Sequence, residues 1–95
     1  MEIEKIKGYL NISRKAGYLI IGGEKLSDYK KKLFLVIYDK TSANNTLKVV
    51  SKMQERGIKT FELESLESLT NINNCKIIGI KNKNISEIIV NLINE

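Results

Sequence analysis

The chain has 95 residues, 42% hydrophobic and 28% charged, which is typical of one globular domain with a single core. It contains no histidine and one cysteine, which removes the commonest general base and excludes the usual zinc-binding patterns. The net charge of +5 is uneven, because residues 1–60 carry 13 basic and 6 acidic side chains and residues 61–95 carry 3 and 5. The first 60 residues are therefore the better candidate for contact with a polyanion.

Targeting and catalytic signals are weak. The sequence has no apolar run of membrane-spanning length, and its first residues lack the apolar core of a signal peptide. The single Cys75 has no partner for an internal disulfide. No phosphate-loop or dinucleotide-binding motif is present, and no spacing suggests a catalytic triad. We therefore expect a cytoplasmic protein that is not an enzyme and that uses no cofactor, metal ion or membrane.

Helical and strand patterns alternate along the chain. Apolar residues three and four apart predict helices, and short unbroken apolar runs predict buried strands. In chain order the predicted elements are a helix at 2–15, a strand at 18–21, a helix at 24–31, a strand at 33–38, a helix at 43–56, a strand at 58–63, a helix at 65–70, a strand at 75–80 and a helix at 85–93. This order predicts an α/β fold, a three-layer α/β/α sandwich with a mixed central sheet.

Several side chains have expected roles at the helix ends and in the core. Asp39 or Thr41 is expected to cap the third helix. Asn84 and Glu87 have the spacing of a capping box at the start of the last helix. Leu47 is expected on the buried face of the third helix.

A double glycine separates the first strand from a basic segment. The first turn of a helix has free N–H groups and partial positive charge, and a glycine before it lets a phosphate chain approach. Three lysines follow, at Lys30, Lys31 and Lys32. The pattern indicates an anion-binding edge. Alternatively, Gly22 and Gly23 form only a strand-to-helix turn that needs a positive φ.

Four stretches resemble, in order and spacing, motifs of one ribosomal-protein superfamily. Residues 10–19 (LNISRKAGYL) resemble its L-x-x-A-R-K-A-G-x-L, and residues 21–24 (IGGE) resemble its S-G-E. Residues 40–46 (KTSANNT) resemble its D-A-S-x-N-T, and residues 65–69 (SLESL) are similar to its S-K-E-E-L. The family is the L-seven-Ae / L-thirty-e type, and the resemblance, which covers nearly the whole chain, is greatest to its small bacterial YlxQ-like branch.

Membership would imply an α/β/α sandwich over residues 1–95 that binds structured RNA, typically kink-turns. The family's first contact surface maps to the start of the second helix, with Lys30 nearby. We call it the glycine edge, and its residues are Gly22, Gly23, Glu24 and Lys25. The second surface maps to the loop before the last core strand. We call it the asparagine loop, and its residues are Asn71, Ile72, Asn73 and Asn74. The resemblance implies that the two surfaces lie side by side, with phosphates on the first and a splayed base on Ile72.

Three functional hypotheses follow. The first is a non-catalytic protein that binds structured RNA, expected to be ribosomal. The second is a protein-interaction module on the same fold, because Lys25, Leu26 and Tyr29 stand where kink-turn binders have Asn-Glu-x-x-Lys. The third is a small-ligand or enzymatic domain, against which the missing histidine and phosphate loop count. The sequence does not predict the oligomeric state.

Overall fold

Five helices and four strands form in the predicted order, and the computed structural model describes all 95 residues. The helices are α1 (Ile3–Lys15), α2 (Gly23–Asp28), α3 (Asn44–Glu55), α4 (Leu66–Thr70) and α5 (Lys83–Asn94). The strands are β1 (Leu19–Ile21), β2 (Leu35–Asp39), β3 (Thr60–Leu63) and β4 (Ile77–Ile80). The second helix ends at Asp28, short of the predicted residue 31, because Tyr29 has extended backbone angles.

The four strands form one mixed sheet in the order β1-β4-β2-β3. Strand β4 runs antiparallel to both neighbours, and β2 is parallel to β3. One end of the sheet, which we call the upper end, therefore contains the last residues of β1, β2 and β3 together with the first residue of β4. The residues that flank the strands there are Gly22, Lys40, Glu64 and Lys76. At the opposite, lower end, the flanking residues are Tyr18, Phe34, Lys59 and Lys81.

Helices cover both faces of the sheet. Helices α1, α4 and α5 pack on one face and contribute to a cluster of 12 buried residues that includes Leu35 and Ile37 of β2. Helices α2 and α3 pack on the other face, in a second cluster of 7 that includes Val36. The three-layer sandwich and the burial of the central strand on both faces are thus confirmed. None of the five helices has both the length and the apolar character needed to cross a membrane.

Gly79 of β4 makes room for the short second helix. A Cβ atom at this position would lie 2.5 Å from Cδ2 of Leu26 and 3.3 Å from Cδ2 of Leu33. Leu26 is fully buried and is the one buried residue of α2. The missing side chain of Gly79 therefore lets Leu26 attach α2 directly to the sheet.

The predicted caps of α3 and α5 are wrong. The residue before α3 is Ala43, and no side chain caps that helix. Asp39 lies opposite Leu63 at the end of β3, from which the chain enters α4, so its carboxylate reaches that helix instead. The last helix begins at Lys83, and Oδ1 of Asn82 accepts a hydrogen bond from the N–H of Ile85 at 2.9 Å.

Leu47 was predicted to be buried, but it is 41% exposed. The inward face of α3 is set by Val50 and Met53, with Thr46 and Val49 half-buried beside them. Leu47 follows Thr46 by about 100° around the helix axis, which turns it away from the sheet.

Candidate nucleic-acid interface

The pairing of β1 with β4 brings the glycine edge close to the asparagine loop. The backbone N–H of Gly22 donates to the carbonyl of Ile77 at 3.0 Å. Ile77 is the first residue of β4, and the asparagine loop ends three residues before it, at Asn74. The two segments, which are about 50 residues apart in the sequence, therefore lie at the same end of the sheet.

Gly22 and Gly23 are needed for different structural reasons. Gly22 has φ 97° and ψ 147°, a conformation that is almost restricted to glycine, so the turn interpretation is confirmed for this residue. At Gly23, a Cβ atom would lie 3.3 Å from Cγ2 of Val49, so the glycine permits close packing of α2 on α3. These roles leave the backbone of the glycine edge accessible, since both residues are half-exposed.

We expect the substitution Gly22→Ala to destabilise the fold by about 1–3 kcal/mol, because an L side chain is strained at this positive φ. Urea denaturation followed by circular dichroism measures the free energy of unfolding. Gly8→Ala is the matched control: this exposed glycine in α1 has open space around its Cβ position, and alanine there is expected to stabilise by about 0.5–1 kcal/mol. Equal stability of the wild type and Gly22→Ala would contradict the strain.

The starts of α2 and α3 flank a cavity of about 310 Å³. It is lined by Gly23, Glu24, Ser27, Asn45, Thr46 and Val49. Neither helix has a side-chain cap, and the first three backbone N–H groups of each make no hydrogen bond within the protein. The lining also contains hydroxyl and amide donors and a single carboxylate, that of Glu24. Such a surface offers hydrogen-bond donors to an anionic oxygen.

The asparagine loop is held by left-handed backbone and by one side chain of α4. Asn71 and Asn74 have φ of 61° and 56°, a conformation that asparagine tolerates better than most residues. The N–H of Asn74 donates to Oε2 of Glu67 at 3.2 Å. Ile72 is half-buried and packs on the core, whereas the three asparagines, Asn73 included, are exposed. The loop therefore presents mainly amide groups to the solvent.

The cations of the upper end differ in how far they are already neutralised. Nζ of Lys40 lies 3.3 Å from Oε1 of Glu64, and Nζ of Lys76 lies 3.9 Å from Oδ1 of Asp39. Lys25 is exposed and forms no ion pair. Arg14 lies beside the asparagine loop, where its Nη1 approaches the carbonyl of Thr70 at 3.4 Å. Lys25 is thus the unpaired cation of the glycine edge itself, whereas Arg14, in the last turn of α1, reaches only Thr70, the residue before the asparagine loop.

Lys30 is not brought to this interface. Helix α2 carries the chain about 9 Å away from the glycine edge over its six residues. Nζ of Lys30 donates to the carbonyl of Ser27 at 3.1 Å, in the last turn of that helix. Four residues further on, the N–H of Phe34 donates to the carbonyl of Ile80 at the lower end of the sheet. The expected single edge from the glycines to the lysines is therefore divided between two ends of the sheet.

The buried carboxylate of Asp39 contacts several segments at the upper end, although it was predicted to cap the third helix. Oδ1 of Asp39 accepts from the N–H and the hydroxyl of Thr41 at 2.8 and 2.6 Å. Oδ2 accepts from the N–H of Leu66 at 2.8 Å, which caps α4. The Thr41 hydroxyl bond, helped by these N–H groups and by Lys76, lowers the pKa of Asp39 despite its burial. The N–H of Asp39 also donates to the carbonyl of Lys76, so this residue connects β2, α4 and the chain that leads from the asparagine loop into β4.

The other side chains that could be reactive or bind a metal ion are Cys75 and the carboxylates. Cys75 is buried, and burial raises the pKa of its thiol, which disfavours the reactive thiolate. No group of three or more cysteine, aspartate or glutamate side chains is placed to share a metal ion.

No protein-family model and no curated protein matches the chain. Among solved structures, the fold is similar to that of a protein with unknown function from Bacillus halodurans, with a TM-score of 0.83. The two chains are 23% identical, and the match covers 96% of this chain and 98% of that one. At this identity the likeness establishes that the α/β fold is shared over nearly the full length of both chains.

Proposed function

We propose that this protein is a non-catalytic RNA-binding domain, associated with the ribosome in the cytoplasm, and that it contacts structured RNA through the glycine edge and the asparagine loop. The observation that supports the proposal is the hydrogen bond from Gly22 to Ile77, the first residue of β4, which follows the asparagine loop by three residues and so brings both segments to one end of the sheet. The basic character of the first 60 residues supports it as well.

The two segments would contribute different contacts. The free N–H groups at the starts of α2 and α3, with Lys25 and Arg14, would bind phosphate oxygens, and these contacts position the RNA without reading its sequence. The exposed amides of the asparagine loop can donate to and accept from base edges or ribose hydroxyls. The exposed part of Ile72 would contact a base that has left the stack.

We expect Lys25→Glu to weaken RNA binding by roughly tenfold, because it removes a phosphate contact and adds a like charge. Binding would be measured over a salt series with a kink-turn RNA, a plain hairpin and total ribosomal RNA. Lys7→Glu, which makes the same charge change on α1, is the control and is expected to retain most of the affinity. Preference for the kink-turn over the hairpin would show that selectivity persists without the Asn-Glu-x-x-Lys pattern. Wild-type affinity that is independent of salt would contradict phosphate contact, as would equal affinities for the two variants.

The second candidate is a protein-interaction module. It is favoured by the absence of the Asn-Glu-x-x-Lys pattern and by the pairing of Lys40 and Lys76 with carboxylates. A pull-down after nuclease treatment separates the two functions, since a protein partner would remain and an RNA-bridged one would be lost. Failure to bind all three RNAs would favour this second candidate.

A further inference from the structure

Positive charge is concentrated at the lower end of the sheet, away from the candidate RNA interface. We call this concentration the basic patch, and its residues are Lys30, Lys31, Lys32, Arg56, Lys59 and Lys81. Backbone contacts draw their segments together. The N–H of Val36 donates to the carbonyl of Lys59 at 2.9 Å, and the N–H of Phe34 donates to that of Ile80, the residue before Lys81.

The segment that bears the three consecutive lysines is positioned by the rest of the fold. Nη1 of Arg56 donates to the carbonyl of Tyr29 at 3.2 Å, and its Nη2 donates to that of Lys31 at 3.0 Å. Nζ of Lys32 lies 5.4 Å from the centre of the Phe34 ring, within range of a cation–π contact. The patch is therefore built across the α2–β2 connection and the end of α3.

None of the six cations of the basic patch pairs with a carboxylate. The three ion pairs of the protein involve Lys5, Lys40 and Lys76, which lie elsewhere. Asp28 and Glu55 are the acidic residues next to the patch in the chain, and neither forms an ion pair with it. Like charges gathered in this way repel one another, and a bound polyanion relieves the repulsion.

We propose that the basic patch is a second phosphate-binding surface, on which the sugar–phosphate backbone of an RNA segment lies without being read for sequence. The identity of the polyanion rests on the function proposed above, whereas the location of the patch is independent of the upper end. One domain would then contact two RNA segments at opposite ends of its sheet.

The composition of the patch favours RNA over an anionic membrane surface. A peripheral membrane site normally combines cations with large apolar side chains that enter the bilayer. The large apolar side chains that are well exposed in this protein lie outside the patch. They are Met1, Ile3, Ile12, Leu47 and Ile88. The half-buried Phe34 instead suits contact with a base next to the bound phosphates.

The test removes two charges from the patch with Lys31→Ala and Lys32→Ala together. Binding of the plain RNA hairpin is measured against salt concentration, where each lost phosphate contact lowers the slope of log affinity against log salt by roughly 0.7–0.9. We expect the double variant to lose about 1.5 from the slope and about tenfold in affinity at physiological salt. Arg56 is left unchanged because it supports the backbone at Tyr29 and Lys31. The control, Lys5→Ala with Lys7→Ala, removes the same charge from α1 and is expected to retain the wild-type slope.

A capture assay tests for two RNA segments directly. Protein bound to an immobilised kink-turn RNA is offered a labelled hairpin, and the wild type is expected to recruit it whereas the Lys31/Lys32 variant is not. Wild-type RNA binding with equal slopes for the patch and control variants would overturn the patch while leaving the proposed function in place. Absence of wild-type RNA binding would overturn both. Vesicles of anionic lipid form a further arm, and binding to them without binding to RNA would also overturn the proposal.

Discussion

Asp39→Ala is expected to destabilise the protein by about 3 kcal/mol, because hydrogen bonds to a buried carboxylate are strong and their loss leaves donors unpaired. The substitution removes the acceptor of the buried Leu66 N–H and the one oxygen that accepts from both the N–H and the hydroxyl of Thr41. Urea denaturation at neutral pH measures the change. Asp39→Asn is the informative companion, since it keeps one acceptor oxygen but replaces the other with an amide donor that faces N–H groups. The free energy of unfolding of Asp39→Asn is expected to lie between those of the wild type and Asp39→Ala.

The same carboxylate predicts how stability depends on pH. The pKa of Asp39 is lower in the folded protein than its unfolded value of about 3.9, chiefly through the Thr41 hydroxyl. Its contribution is therefore fully present above pH 3.9 and is lost as the pH falls through the folded pKa. The difference in unfolding free energy between the wild type and Asp39→Asn should shrink over that acidic range. Thr41→Val removes the hydroxyl that contributes most to the lowered pKa of Asp39. In this variant the stability that Asp39 contributes should therefore be lost at a higher pH. A difference that stays constant from neutral to strongly acidic pH would exclude a depressed pKa.

The order and type of the elements could be predicted because each one has a local signal. The run from Leu33 to Tyr38 is apolar without alternation, and burial on both faces of β2 follows directly from that pattern. The end of α2 was harder to predict, since Lys30 and Lys31 are good helix formers and nothing in the sequence stops the helix before them. Where the helix ends, Arg56 donates to the carbonyls of Tyr29 and Lys31, a tertiary contact that no local pattern indicates.

The candidate site was predictable in part for the same reason. The glycine edge and the asparagine loop each have a local composition that indicates an irregular, accessible backbone. Asp39 carries no such signal, because an aspartate after a strand usually caps the helix that follows it. It caps α4 instead because β2 pairs with β3 in parallel, which places Asp39 opposite Leu63, and that pairing is a property of the whole sheet.

Leu26→Ala is expected to cost about 3–4 kcal/mol, since the side chain is fully buried and the neighbouring strand offers a glycine that does not fill the space. Gly79→Ala alone is expected to cost about 1–3 kcal/mol, because its methyl group would crowd Cδ2 of Leu26 and Cδ2 of Leu33. In the double variant the new methyl group occupies space that Leu26 has left. The double variant should therefore be destabilised by less than the sum of the two single changes, a coupling of about 1 kcal/mol or more. Additive free energies of unfolding would show that the two side-chain positions do not share this space.

The packing of Leu26 against Gly79 also bears on the proposed function. Leu26 is the one buried residue of α2, so the position of this helix, which begins within the glycine edge, depends on it. If the upper end binds RNA, Leu26→Ala should weaken binding to the kink-turn RNA even at temperatures where the variant remains folded. Leu92→Ala is the matched control, because this leucine is also buried but packs on the opposite face of the sheet, in the cluster with α1 and α4. Equal affinities of the two folded variants would show that the position of α2 does not govern binding, and the RNA contact would then have to be sought away from the glycine edge.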